Sequence, residues 1–180
     1  MYGIINKSLE SLIKENYGEL YWIKIKKLSR INEEYFVSNE IYNDDITYSI
    51  AKNTAKITNT PIENIFMTFG EYWILQTCKS KYGSLMEAGG DNLKSFLKNL
   101  PAFHDRIMLY YPKITPPEFK TSHEENNSIC IHYFSKRVGL KDFVRGLFQG
   151  LGKLYNVPVT IDLIEDRDNG DNHEIFKISW

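Results

Sequence analysis

Near Phe119 the spacing of apolar residues changes from a helical period to an alternating one, so the chain has to combine helices with a sheet. Before that point Ile4, Ile5, Leu9, Leu12 and Ile13 predict a first helix, and Glu19 to Leu28 a second amphipathic stretch. Asp44 to Lys56 predicts a third helix, capped by Asn43 or Asp44. Thr60-Pro61-Ile62-Glu63 reads as a start signal, with Thr60 as N-cap and Pro61 at the first helical position of a helix running to about Ser80. Gly89-Gly90 breaks the chain, and Asp91 can cap the next helix, in which Pro101 predicts a kink or a division. Thr115-Pro116-Pro117 ends the helical part. Beyond it, Ser128 to Ser135 alternates and is rich in Ile, Tyr and Phe, as a strand does. Leu140 to Tyr155 predicts a helix with Leu140, Phe143, Val144, Leu147, Leu151 and Leu154 on one face. Val157 to Ile164 and Glu174 to Trp180 predict two strands, joined by the polar loop Glu165 to Asn172. A helical front half followed by strand, helix, strand, strand makes the class α+β.

Composition narrows what such a chain does. At 180 residues, 42% hydrophobic and 25% charged, it is one ordinary globular domain rather than a disordered segment. Its 22 Lys and Arg nearly balance 23 Asp and Glu, so neither a nucleic-acid nor an anionic-membrane footprint is expected. Two cysteines, Cys78 and Cys130, are too few for a disulfide framework or a cysteine zinc site. Met1 to Asn16 reads as a helix and not as a signal peptide, and no window approaches the roughly 20 apolar residues that span a bilayer. A cytoplasmic location is the expectation.

Two constellations carry chemistry. His104 has Leu100, Pro101, Ile107 and Met108 as helical neighbours, which places an imidazole on an apolar face. Spacing alone leaves two readings open: a core histidine satisfied by a backbone carbonyl, or a single axial ligand to a metal cofactor. One histidine does not build a zinc site, which usually needs three or four protein ligands, but it can hold a haem. Second, Tyr133 and Ser135 share one face of the predicted strand, and Arg137 follows in register if the strand extends. A phenol, a hydroxyl and a guanidinium in one line suit carboxylates or phosphates, though an exposed strand end looks the same. His123 and His173 are expected to be solvated, and the direction of His132 is undecided. The glycines of Gly146-x-x-x-Gly150-x-Gly152 suit close helix packing, since a phosphate loop would need a strand-to-helix context and Lys-Ser/Thr. Asp166, Asp168, Asp44 and Asp45 read as solvated turns or caps.

Taken together, these residues resemble the haem-nitric oxide/oxygen binding (H-NOX) family, whose fold also forms the haem domain of soluble guanylate cyclase. The resemblance starts with Met1-Tyr2-Gly3-Ile4-Ile5-Asn6. It continues through Phe69-Gly70, Asn92-Leu93-x-x-Phe96-Leu97-x-Asn99-Leu100-x-x-Phe103-His104 and Tyr111-Pro112, and ends on Tyr133-x-Ser135-x-Arg137 and the helix carrying Gly146. It implies a single domain over 1–180, with a helical distal subregion (1–60) and a proximal subregion (61–180). In it a helical N-terminal part packs on an antiparallel sheet with a long helix, and haem b lies between them. It implies His104 as the proximal iron ligand, Tyr133, Ser135 and Arg137 as the clamp on the haem propionates, and Pro117 and Ile5 as residues pressing on the haem.

The resemblance also bears on the ligand. Oxygen-binding members carry a distal tyrosine where this chain has Phe143, and a supporting asparagine where it has Trp73. The resemblance therefore implies a sensor, not an enzyme, that takes nitric oxide and CO at ferrous haem and excludes oxygen. Nitric oxide would weaken the bond to His104 and signal to a fused or separate chemotaxis receptor, histidine kinase or cyclase. Two other readings stay open: an oxygen-binding haem module using Trp73 or Tyr72 as distal donor, and a cofactor-free interaction domain with His104 in its core.

Overall fold

A computed structural model describes residues 1–113 and 117–180; Thr115 and Pro116 of the helix-ending stretch lie outside the described residues. The chain opens with α1 (Gly3–Tyr17), α2 (Glu19–Leu28) and α3 (Asp44–Thr58). Leu9, Leu12 and Ile13 of α1 are buried with Trp22 and Ile25 of α2 and Ile50 of α3, as their spacing requires. Asn43 caps α3, its side-chain oxygen accepting the Asp45 N–H at 2.9 Å. The Thr47 hydroxyl donates to Asn6 Oδ1 at 2.6 Å and ties α3 to α1.

The helix expected from Thr60 to Ser80 is three stretches instead. These are α4 (Ile62–Tyr72), a π-helical stretch (Trp73–Cys78) and α5 (Lys79–Glu87). The wider π turn changes which residues face inward, and Ile74 and Cys78 become buried. Thr60 does not cap α4. Pro61 takes the cap position in an extended conformation, and the Thr60 hydroxyl pairs with Thr58. The next helix, α6 (Leu93–Met108), is capped by Asn92 and not by Asp91, with Asn92 Oδ1 accepting the Ser95 N–H at 2.9 Å. Pro101 does not divide it: Leu97, Leu100 and Phe103 bury one continuous face across the missing N–H.

Four strands form one antiparallel sheet in the order β1-β2-β4-β3: β1 (Glu118–Ser122), β2 (Ser128–Phe134), β3 (Thr160–Glu165) and β4 (Glu174–Ser179). β1 is an element the sequence does not announce, because Phe119 is its only buried residue and alternation is absent. Ile129, Ile131, Tyr133, Phe176 and Ile178 face the core. Between β2 and β3 runs α7 (Lys141–Leu154), whose Phe148 meets Phe176 with ring centroids 5.5 Å apart.

α4 and α7 approach each other backbone to backbone. A Cβ on Gly146 would lie 2.0 Å from the Met67 carbonyl oxygen, and one on Gly70 would lie 2.0 Å from that of Phe143. Neither backbone can yield without separating the helices. Gly146→Ala is therefore expected to lower stability by about 3 kcal/mol in urea denaturation. Gly83→Ala, where a Cβ meets nothing within 4 Å, is expected to be neutral or slightly stabilising.

On the outer face of the sheet, His132 Nδ1 lies 2.8 Å from His173 Nε2, and His132 Nε2 lies 2.7 Å from Ser122 Oγ. His123 is exposed and touches the same hydroxyl at 3.0 Å. His173, expected to be solvated, is half-buried against Phe134. Burial, with His173 beside it, holds His132 below the ordinary histidine range. Its neutral form is thus favoured by folding, and the stability this contributes is complete above about pH 6.5. It is lost as pH falls from there through the lower folded value. Thermal unfolding between pH 7 and 5 should show a falling midpoint, and His132→Gln should flatten that slope.

Candidate functional site

α1, α4, the π-helical stretch, α6, α7 and the sheet enclose an apolar cavity of about 210 Å³. Its lining includes all eight candidate residues: Ile5, Trp73, His104, Pro117, Tyr133, Ser135, Arg137 and Phe143. Tyr72 is not among them. Its hydroxyl donates to Glu15 Oε1 at 2.6 Å on the outside of the molecule, so the expectation of Tyr72 as a donor into the pocket is corrected. A residue one position before Trp73 points about 100° away around the helix.

His104 projects from α6, and its ring is met by Phe119 of β1 edge-on at 5.1 Å. Phe119 pairs across the strands with Tyr133 of β2, ring to ring at 5.4 Å. The unannounced strand thus orients both the imidazole and the phenol. Burial pushes the His104 imidazole down to about 4, opposed only in part by Asp105. At neutral pH it presents a nitrogen lone pair and no charge. Cys78 also lines the cavity, but burial pushes its thiol up to about 12, so it stays protonated and ligates poorly.

The polar edge of the cavity lies where β2 ends. Burial raises the Tyr133 phenol above its ordinary value and keeps it an O–H donor. The strand stops at Phe134, so Arg137 follows in a bend, where its N–H donates to Ser135 Oγ at 3.1 Å. The Arg137 guanidinium meets Asp44 at 2.6 Å. Burial works against the Asp44 carboxylate, yet hydrogen bonds from the Met1 amino group and Arg137 hold it below its usual range. Asp44, read from the sequence as a cap, is therefore a positioning group for Arg137.

A second residue escaped the sequence reading. Arg167 donates through Nη1 to the Ser135 carbonyl at 2.6 Å and through Nη2 to the Arg137 carbonyl at 2.9 Å. Its Nε is held by both oxygens of buried Glu174 at 2.9 and 2.8 Å. Asp166, also read as solvated, is buried and takes Lys141 at 2.6 Å, which fixes the turn carrying Arg167. The only sequence signal was an arginine inside an acidic run. Arg167→Gln should leave the Glu174 carboxylate buried without its ion pair, costing about 3–5 kcal/mol in chemical denaturation.

Among the described residues no three ligating side chains converge as a metal site. A single neutral imidazole in an apolar cavity, with a phenol, a hydroxyl and a guanidinium at one edge, suits a flat cofactor. Such a cofactor brings its own in-plane donors and carries carboxylates at its rim. A bare zinc ion would find too few ligands.

Comparison with known proteins agrees with that donor set. The family model described as Haem-NO-binding matches residues 2–163. Soluble guanylate cyclase gcy-35 of Caenorhabditis elegans is 30% identical over 171 residues, covering 92% of this chain and 25% of that protein. Soluble guanylate cyclase gcy-33 of the same organism is 26% identical over 182 residues, covering 100% of this chain and 19% of that protein. The chain thus spans about a fifth to a quarter of the length of these curated relatives. An H-NOX protein from S. oneidensis in the Fe(II)NO ligation state shares the fold with a TM-score of 0.90 at 22% identity, covering 99% of this chain and 98% of that one. The Fe(II) unliganded H-NOX protein from K. algicida does so at 0.87 and 22%, covering 99% and 96%.

Proposed function

The chain belongs to the haem-NO-binding family, and from that premise we propose that it is a sensor module taking nitric oxide and CO at ferrous haem b and excluding oxygen. The observation that carries this reading is the meeting of neutral His104 with Tyr133, Ser135 and Arg137 at one apolar cavity. When bound, haem b supplies a ferrous iron with one position open to a diatomic gas. His104 holds that iron from α6. Tyr133 and Ser135 donate hydrogen bonds to the propionates, and Arg137 adds the charge-assisted contact. Asp44 keeps the guanidinium in place, and Arg167 pins the backbone on which Ser135 and Arg137 sit. Ile5 and Pro117, which line the same cavity, would pack against the haem.

Ligand choice follows from the distal wall. Phe143 packs on Phe69 at 4.9 Å and offers no donor. Oxygen gains from a hydrogen-bond donor there, and nitric oxide needs none, so Phe143 disfavours oxygen. His104 is the releasable tether. Release of His104 from the iron would leave α6 free to shift against Ile5 and Pro117, which would give the two states signalling needs. The readout belongs to an effector, either fused or separate: a chemotaxis receptor, a histidine kinase or a cyclase.

One observation supports a second reading: Trp73 lines the cavity and carries an indole N–H. If Trp73 donates to oxygen, the module senses oxygen instead. Absorption spectra of the dithionite-reduced protein decide between them. A five-coordinate ferrous spectrum, unchanged in form by air and shifted by nitric oxide, is expected. A stable, reversible shift in air that Trp73→Phe abolishes would overturn the nitric oxide reading. His104→Gly should lose the native ferrous spectrum and regain it when imidazole is added.

A further inference from the structure

Beside the apolar cavity lies a polar surface cleft of about 660 Å³, lined in part by Lys79, Ser80, Gly83 and Ser84. Ile4, Tyr82 and Tyr111 line both spaces. The partition between them is therefore made of side chains. Tyr82 and Tyr111 join hydroxyl to hydroxyl, and Tyr111 packs on Tyr2 with ring centroids 4.6 Å apart. Tyr2 is in turn fixed, its hydroxyl accepting the Lys113 N–H at 2.8 Å. Tyr82 sits at a non-helical position within α5 (φ −130, ψ 23), which turns its ring toward the cavity. On the cleft side Gly83 leaves open space.

We propose that Tyr82 and Tyr111 form the gate through which a diatomic gas passes between the cleft and the cavity. The proposal rests on the haem reading, which places two carboxylates at the Tyr133, Ser135 and Arg137 edge and so closes that side when haem is held. Among the described residues, the tyrosine pair is a wall with open space beyond it. Opening it breaks one hydrogen bond and turns one ring, while Tyr2 keeps the frame in place. A small apolar gas needs no polar path through the gap, whereas water meets an apolar interior behind it.

The test uses the haem-loaded ferrous protein with CO as the probe, measuring association after flash photolysis and dissociation by displacement. Tyr82→Phe and Tyr111→Phe should each speed both rates about two- to tenfold, the change expected from one ordinary hydrogen bond. The CO affinity should stay the same, because a gate alters passage in both directions alike. Gly83→Trp, which adds bulk on the cleft side where a Cβ meets open space, should slow both rates. Unchanged rates in all three variants, with a normal Soret band, overturn the gate alone. A change of affinity without matched rates overturns it too, and makes the tyrosines part of the pocket wall. A missing Soret band in the unaltered protein overturns the haem reading and the gate with it.

Discussion

Gly146 has no side chain, and so α7 lies with its backbone against α4. The rest of the site follows from that contact. It brings Phe143 over Phe69 and sets one wall of the cavity. It places α7 so that Phe148 reaches Phe176 of the sheet. It also fixes α4 just before the π-helical stretch, whose wider turn points Trp73, Ile74 and Cys78 at the same space. A methyl group at either glycine would push the two helices apart and open the cavity to water.

The polar edge is built on a different principle. Arg137 is oriented from one side by Asp44, while Arg167 grips the backbone carbonyls of Ser135 and Arg137. The guanidinium of Arg167 is anchored on a carboxylate, Glu174, that is almost wholly buried. Fixed geometry at a polar edge lowers the ordering cost for a ligand that docks there. An apolar interior with one rigid polar rim orients a cofactor that is greasy in its middle and charged at one side.

Much of this was legible along the chain. The helical spacing around His104 put the imidazole on an apolar face, and it does face an apolar cavity. The alternation of Ser128 to Ser135 placed Tyr133 and Ser135 together, and they are together. The caps of α4 and α6 were misplaced by one residue, because Thr, Pro, Asp and Asn each have several ways to satisfy a helix end. β1 was invisible because one buried residue in five makes no pattern. Asp44 and Arg167 were missed because they act on Arg137 and Ser135 across gaps of 93 and 32 residues.

By itself the sequence determined the class of the fold, the helix that carries His104 and the strand that carries Tyr133, because those follow from local periodicity. It also determined which chemical groups are available to the site. Only the tertiary structure decided which of them meet. It turned Tyr72 outward onto Glu15 while Trp73 faces the cavity, put Phe119 against both His104 and Tyr133, and locked a half-buried Arg167 onto buried Glu174 where a solvated turn was expected. The reason is physical: period and propensity act over a few residues, whereas burial and ion pairing depend on neighbours that folding alone brings into contact.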